Sequence, residues 1–149
     1  SGRNPDYLIG EHIRAARQLK KSSLEIIPTG YILIGGGKKI STQLVSKTAP
    51  IPKGNKHLAA STAIAGELLG MKMIYLEAGS GTNNPLNPAL VKDVRKNVSL
   101  PLLAGGGINS AEKAMALCRS GADMIVVGNA IEKNSNLVSE ISKIIRLCK

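Results

Sequence analysis

Three short apolar runs in this chain each end in glycine, and a helix-like segment follows each one. The runs are Ile74-Tyr75-Leu76-Glu77-Ala78-Gly79-Ser80-Gly81, Leu102-Leu103-Ala104-Gly105-Gly106-Gly107 and Ile125-Val126-Val127-Gly128-Asn129. A buried strand that opens through glycine toward a helix start presents bare backbone N–H groups. Those groups and the helix dipole favour an anion, most often phosphate. Repetition of the unit along alternating strands and helices predicts a parallel α/β protein with its site at the strand C-termini.

The rest of the chain fits that pattern. Asn4-Pro5 reads as N-cap and first helical residue of a helix running to about Lys21, with Leu8, Ile9, Ile13, Ala16 and Leu19 as its apolar stripe. Leu24 to Ile34 is strand-like, interrupted by Pro28-Thr29-Gly30. The stretch Gly35 to Asn55 is long for a connection inside a compact domain, which marks it as functional or disordered. Residues 56–69 form an Ala-rich helix stopped by Gly70, apolar over most of its circumference and expected to be buried, partly in a subunit interface. Strand 72–77 leads to Asn87-Pro88, a second N-cap pair, on a helix with Leu90, Val91 and Val94 inward. Strand 100–104 precedes Asn109 as N-cap with Glu112 at the capping-box position. That helix ends at Gly121, strand 123–127 follows, and a helix over about 136–147 closes the chain. The count is four strands and five helices. Such a chain resembles part of a closed (β/α)8 barrel of the TIM type, because four βα units alone leave two open sheet edges. Residues 1–149 read as a single domain.

Composition narrows the ligand. The formal net charge is +10, which suits phosphates, nucleic acid or an anionic membrane surface. Nucleic acid is disfavoured, because base stacking needs aromatic side chains and the chain has three Tyr, no Phe and no Trp. Cys118 and Cys148 match no metal or redox spacing, no apolar run reaches the ~18 residues of a spanning helix, and no signal peptide is visible. The expected location is cytoplasmic.

Candidate site residues follow from the glycine turns. Gly105-Gly106-Gly107 and Gly128-Asn129 match the place where barrels hold a phosphate, after the last two strands; the bland alternative is that glycine merely permits a tight turn. Tyr75 and Glu77 alternate onto one side of their strand end, where a carboxylate can accept bonds from substrate hydroxyls; the alternative is a turn cap. Glu25, at a strand start, reads as structural. Lys38, Lys39, Lys47, Lys53 and Lys56 could steer an anion, though a solvated face is the favoured reading. His12 and His57 lack companions at ligand spacing, so no metal-ligating residue is assigned.

These strings, with Glu25-Ile26-Ile27-Pro28-Thr29-Gly30-Tyr31 and Arg3-Asn4-Pro5-Asp6-Tyr7, resemble the geranylgeranylglyceryl phosphate synthase family. The resemblance implies a modified (β/α)8 barrel that joins the sn-3 hydroxyl of sn-glycerol 1-phosphate to a polyprenyl diphosphate, a step of ether phospholipid biosynthesis. It implies that Tyr75 and Glu77 bind the glycerol hydroxyls as catalytic residues. Leu76 and the backbone of Ala78, Gly79, Ser80 and Gly81 then continue that wall, and Gly106, Gly107, Gly128 and Asn129 cradle the phosphate. It further implies a homo-oligomer and peripheral contact with a membrane. The family's Mg²⁺ and diphosphate ligands sit on its first four strands, for which no candidate segment is found. The expectation is therefore a chain supplying about four C-terminal units, strands five to eight, with the glycerol phosphate half-site. Two other readings compete. One is a non-catalytic phosphate-binding half-barrel. The other is a phosphate-binding isomerase or aldolase, weakened because the only strand lysine is Lys72, at a strand's start.

Overall fold

A computed structural model of the chain describes residues 4–35, 44–45, 47–146 and 148. Arg3 and the loop residues Lys38 and Lys39 lie outside the described residues. The sheet has five strands: β1 (Thr29–Gly35), β2 (Ile51–Pro52), β3 (Met73–Glu77), β4 (Leu102–Gly105) and β5 (Met124–Val126). Their spatial order is β2-β1-β3-β4-β5, and every pairing is parallel. The four expected strands are thus neighbours in chain order. The helices are α1 (Glu11–Lys21), α2 (Lys56–Leu68), α3 (Pro88–Asn97), α4 (Ala111–Arg119), α5 (Asn129–Lys133) and α6 (Asn136–Arg146).

Alternation along the strands sorts the side chains onto two faces. Ile32, Ile34, Ile74, Leu76, Leu102 and Ala104 turn toward the helices and are buried. They pack with Ala59, Ala60 and Ala63 of α2, Leu90, Val91 and Val94 of α3, Ala114 and Leu117 of α4, and Leu137 and Ile141 of α6. Small residues on α2 let it lie close to the sheet: a Cβ at Gly66 would stand 3.1 Å from Ile74 Cδ1. The opposite face carries Tyr31, Tyr75, Glu77, Leu103, Met124 and Val126, which share register positions across the ladder. Met124 and Val126 are 43% and 39% exposed on it.

Several sequence expectations are corrected. The first strand starts at Thr29, not Leu24, because Pro28 has no N–H for the ladder; its carbonyl instead accepts from Lys72 N at 2.7 Å. Glu25 consequently precedes the strand and is exposed. The long connection contains β2, which pairs with the C-terminal end of β1 and so covers part of one sheet edge. The N-terminal helix opens with a π-helical turn, Asp6–Gly10, with Asn4 Oδ1 accepting from Asp6 N at 3.1 Å. The apolar stripe across the π-turn and α1 buries no residue: Ile9 and Ile13 are 57% and 68% exposed. On α2 Ala59, Ala60 and Ala63 are buried, but Ala65 and Leu68 are exposed. The N-cap of α4 is Ser110, whose Oγ accepts from Lys113 N, while Asn109 instead accepts from the Lys113 ammonium at 2.7 Å. A short helix, α5, is added between β5 and α6.

A clamp fixes the N-terminal ends of β4 and β5. Arg95 Nη1 donates to Leu100 O and Asp123 Oδ2, both at 3.0 Å, and Asp123 Oδ2 also accepts from Leu102 N at 2.8 Å. The ends that open toward the glycine turns are therefore held from below.

Candidate functional site

Glu77 is the last residue of β3 and is 5% exposed. A buried carboxylate is costly unless every oxygen has a partner. Here the Tyr75 hydroxyl donates to Oε2, and Gly79 N donates to Oε1 at 2.7 Å. The strand's two-residue period places Tyr75 and Glu77 side by side, and the chain's turn at Gly79 brings back the second donor. Burial and the adjacent Glu77 carboxylate push the Tyr75 phenol well above its ordinary value, so it stays protonated and donates. Tyr31 meets Tyr75 edge to face with ring centroids 5.0 Å apart, which fixes the ring.

The glycine turn after β4 closes on this pair. Gly105 lies opposite Glu77, and a Cβ there would fall 2.5 Å from the Tyr75 hydroxyl. Gly106 adopts φ +89, and its Cβ would lie 2.7 Å from Glu77 Oε1 and 2.8 Å from the backbone nitrogens of Ala78 and Gly79. Only glycine fits both the backbone angle and that approach. A side chain at Gly106 would therefore be driven into the end of β3. At Gly128 nothing stands within 4 Å of a Cβ, so a side chain there would project into open space.

These elements enclose a cavity of about 230 Å³ at the C-terminal ends of β3, β4 and β5. Tyr75, Glu77, Ser80, Gly81, Gly106, Gly107, Gly128 and Asn129 all line it. Three other predicted positions do not. Leu76 is fully buried on the helix side. Ala78 N is bonded to Gly105 O at 3.0 Å, and Gly79 N is taken by Glu77. Sequence reasoning missed Thr82, Asn83, Asn109 and Lys133 in the lining. Lys133 follows Asn129 by four residues, one helical turn, and that spacing was a usable signal. Gly128, Asn129 and Ala130, at the start of the short helix α5, line the cavity, while Ile131 N is already taken by Gly128 O at 2.8 Å.

Among the described residues no three His, Cys, Asp or Glu side chains gather as a metal-binding group. His12 and His57 are both exposed. No described helix is long and apolar enough to cross a membrane.

A parallel sheet with helices on one face and a cavity at its strand C-termini defines an α/β protein of the TIM-barrel kind. The chain belongs to the PcrB family, whose model matches residues 1–146. It is 49% identical over 142 residues to a geranylgeranylglyceryl phosphate synthase of Chitinophaga pinensis, covering 95% of this chain and 56% of the relative. It is 47% identical over 146 residues to one of Spirosoma linguale, covering 98% and 59%. The crystal structure of (S)-3-O-geranylgeranylglyceryl phosphate synthase from Thermoplasma acidophilum, in complex with substrate sn-glycerol-1-phosphate, superimposes with TM-score 0.86 at 32% identity. It covers 97% of this chain and 57% of that one. The chain thus spans somewhat over half the length of these relatives.

Proposed function

We propose that this chain carries the sn-glycerol 1-phosphate half-site of a geranylgeranylglyceryl phosphate synthase, and that it supplies strands five to eight of the (β/α)8 barrel. The observation that carries the reading is the buried Glu77 carboxylate, fixed by Tyr75 and Gly79 N and facing the same cavity as Gly106, Gly107, Gly128 and Asn129. The similar Thermoplasma acidophilum enzyme, solved with sn-glycerol-1-phosphate, supports the choice of ligand.

In this reading the glycine turns and the start of α5 receive the phosphate. Glu77 keeps free lone pairs after accepting its two protein bonds, and these accept from the glycerol hydroxyls. The Tyr75 oxygen, whose O–H points at Glu77, keeps lone pairs that accept from a hydroxyl in turn. The sn-3 hydroxyl oxygen, so oriented, attacks the first carbon of a polyprenyl diphosphate. A carbon–oxygen ether bond forms, the bond to diphosphate breaks, diphosphate leaves, and the hydroxyl proton is released. Proximity and orientation are what this half-site contributes to the rate.

Calorimetric titration of the chain with sn-glycerol 1-phosphate tests the half-site, and a separate prenyl-transfer assay tests the reaction. Saturable binding lost on Glu77→Gln is the expected result. Absence of binding would reject the half-site. Binding with no transfer once the remaining strands of the barrel are supplied would favour a non-catalytic phosphate-binding module over the enzyme.

A further inference from the structure

Lys53 sits between two fixed points. Ile51 of β2, two residues before it, is 1% exposed, and Asn55, two residues after it, caps α2 by accepting from Leu58 N at 3.0 Å. The backbone closes this turn with Asn55 N donating to Pro52 O at 2.8 Å. From there the Lys53 ammonium reaches the loop after β3, donating to the carbonyl oxygens of Asn84 and, at 3.3 Å, of Pro85. Partial burial lowers its pKa from the ordinary lysine value. Its partners are thus backbone oxygens, over thirty residues away in the chain.

The loop that Lys53 holds is a wall of the cavity. Thr82 and Asn83 line it. The loop's other side rests on the second glycine of the turn after β4: a Cβ on Gly107 would lie 2.6 Å from Thr82 O and 3.3 Å from Pro85 Cα. The segment 82–85 is therefore gripped between Lys53 and Gly107, with no regular secondary structure of its own.

We propose that Lys53 is a positioning residue for the phosphate-ester site: its ammonium ties β2 to the carbonyls of Asn84 and Pro85 and so sets the Thr82–Asn83 wall against the glycine turns. This rests on the glycerol phosphate reading above. Lys53 does not line the cavity and acts through the loop. The wall rests on Gly107, one of the glycines that receive the phosphate in that reading, and lines the same cavity as Glu77, so Lys53 bears on the whole glycerol phosphate ligand.

The test uses Lys53→Met, which keeps the apolar stem, and Lys53→Arg, which keeps the donors. Hydrogen exchange reports the loop without ligand, and calorimetry reports sn-glycerol 1-phosphate and inorganic phosphate. Lys53→Met is expected to speed exchange of the amides of residues 82–84 and 86 at least tenfold and to weaken both glycerol phosphate and inorganic phosphate, the former about tenfold. Lys53→Arg is expected to restore both readouts to within threefold. Unchanged exchange in Lys53→Met, or faster exchange with unchanged glycerol phosphate affinity, overturns the positioning role alone. A wild-type chain that binds no glycerol phosphate overturns the site reading, and the positioning role with it.

Discussion

At the scale of single residues, two glycines in neighbouring turns separate fold from ligand. Gly106 is held at φ +89 with the end of β3 against it, whereas Gly128 faces open space. Gly106→Ala should therefore lower stability by at least about 1 kcal/mol, the order of cost of a left-handed backbone in a residue with a Cβ. Gly128→Val should leave the melting temperature nearly unchanged and weaken glycerol phosphate binding. A thermal melt and a titration on both variants check the contrast; equal loss of stability in both would contradict it. Glu77→Gln keeps the shape of the side chain and removes its charge. Charge-assisted bonds contribute roughly 1.5–3 kcal/mol each. In a completed barrel, turnover should fall at least about tenfold, or roughly 1.4 kcal/mol. Full turnover in that variant would remove Glu77 from the mechanism.

At the scale of elements, the site depends on how each helix begins. Asn87 caps α3, its Oδ1 accepting from Ala89 N at 2.9 Å, with Pro88 at the first helical position. Leu90, Val91 and Val94 then enter the core from one face of a helix whose start is fixed. Asn87→Ala removes the cap at a cost of about 1 kcal/mol. For a chain of this size that corresponds to a fall in melting temperature of about 3 °C. A drop confined to that range, with glycerol phosphate affinity intact, is the expected outcome in calorimetry. Loss of binding would place the cap within the site's support. Legibility differed between these helices. Asn87-Pro88 was readable because both preferences coincide at one turn. Asn109 was a misreading, since Ser110 is an equally good cap one residue on, and only the backbone path chooses between them.

At the scale of the whole molecule, the excess of basic residues matters more for encounter than for fold. The net charge of +10 creates a field that attracts anions and is screened by salt. Lys133 at the cavity adds a local cation to it. Affinity for sn-glycerol 1-phosphate should fall several-fold between 0.05 and 0.3 M salt, as estimated from a screening length of ~10 Å at 0.1 M. Titrations across that range check it. A flat salt dependence would mean that the backbone cradle alone carries the phosphate. The apolar Met124 and Val126 on the sheet face away from the helices belong to this scale too. In the proposed complete barrel that face is the interior, and strand packing from the remaining units would cover it.

The order and type of most elements were determined by local sequence. Apolar runs of strand length, helix starts marked by Asn-Pro, and glycines at strand ends are signals a few residues long, and each acts through the backbone at its own position. The same locality placed Tyr75 and Glu77 on one side of β3 and put Gly106 and Gly128 at successive strand ends. Tertiary structure alone decided the rest. Nothing near Gly106 in sequence shows that its Cβ would meet Ala78 and Gly79, and nothing near Lys53 shows that its ammonium reaches Asn84. It also decided that Leu76 and Ala78 face away from the cavity or spend their backbone groups on neighbouring strands. These are contacts between segments twenty-five or more residues apart, fixed by parallel register and close packing, and no local preference encodes which atom meets which across such a span.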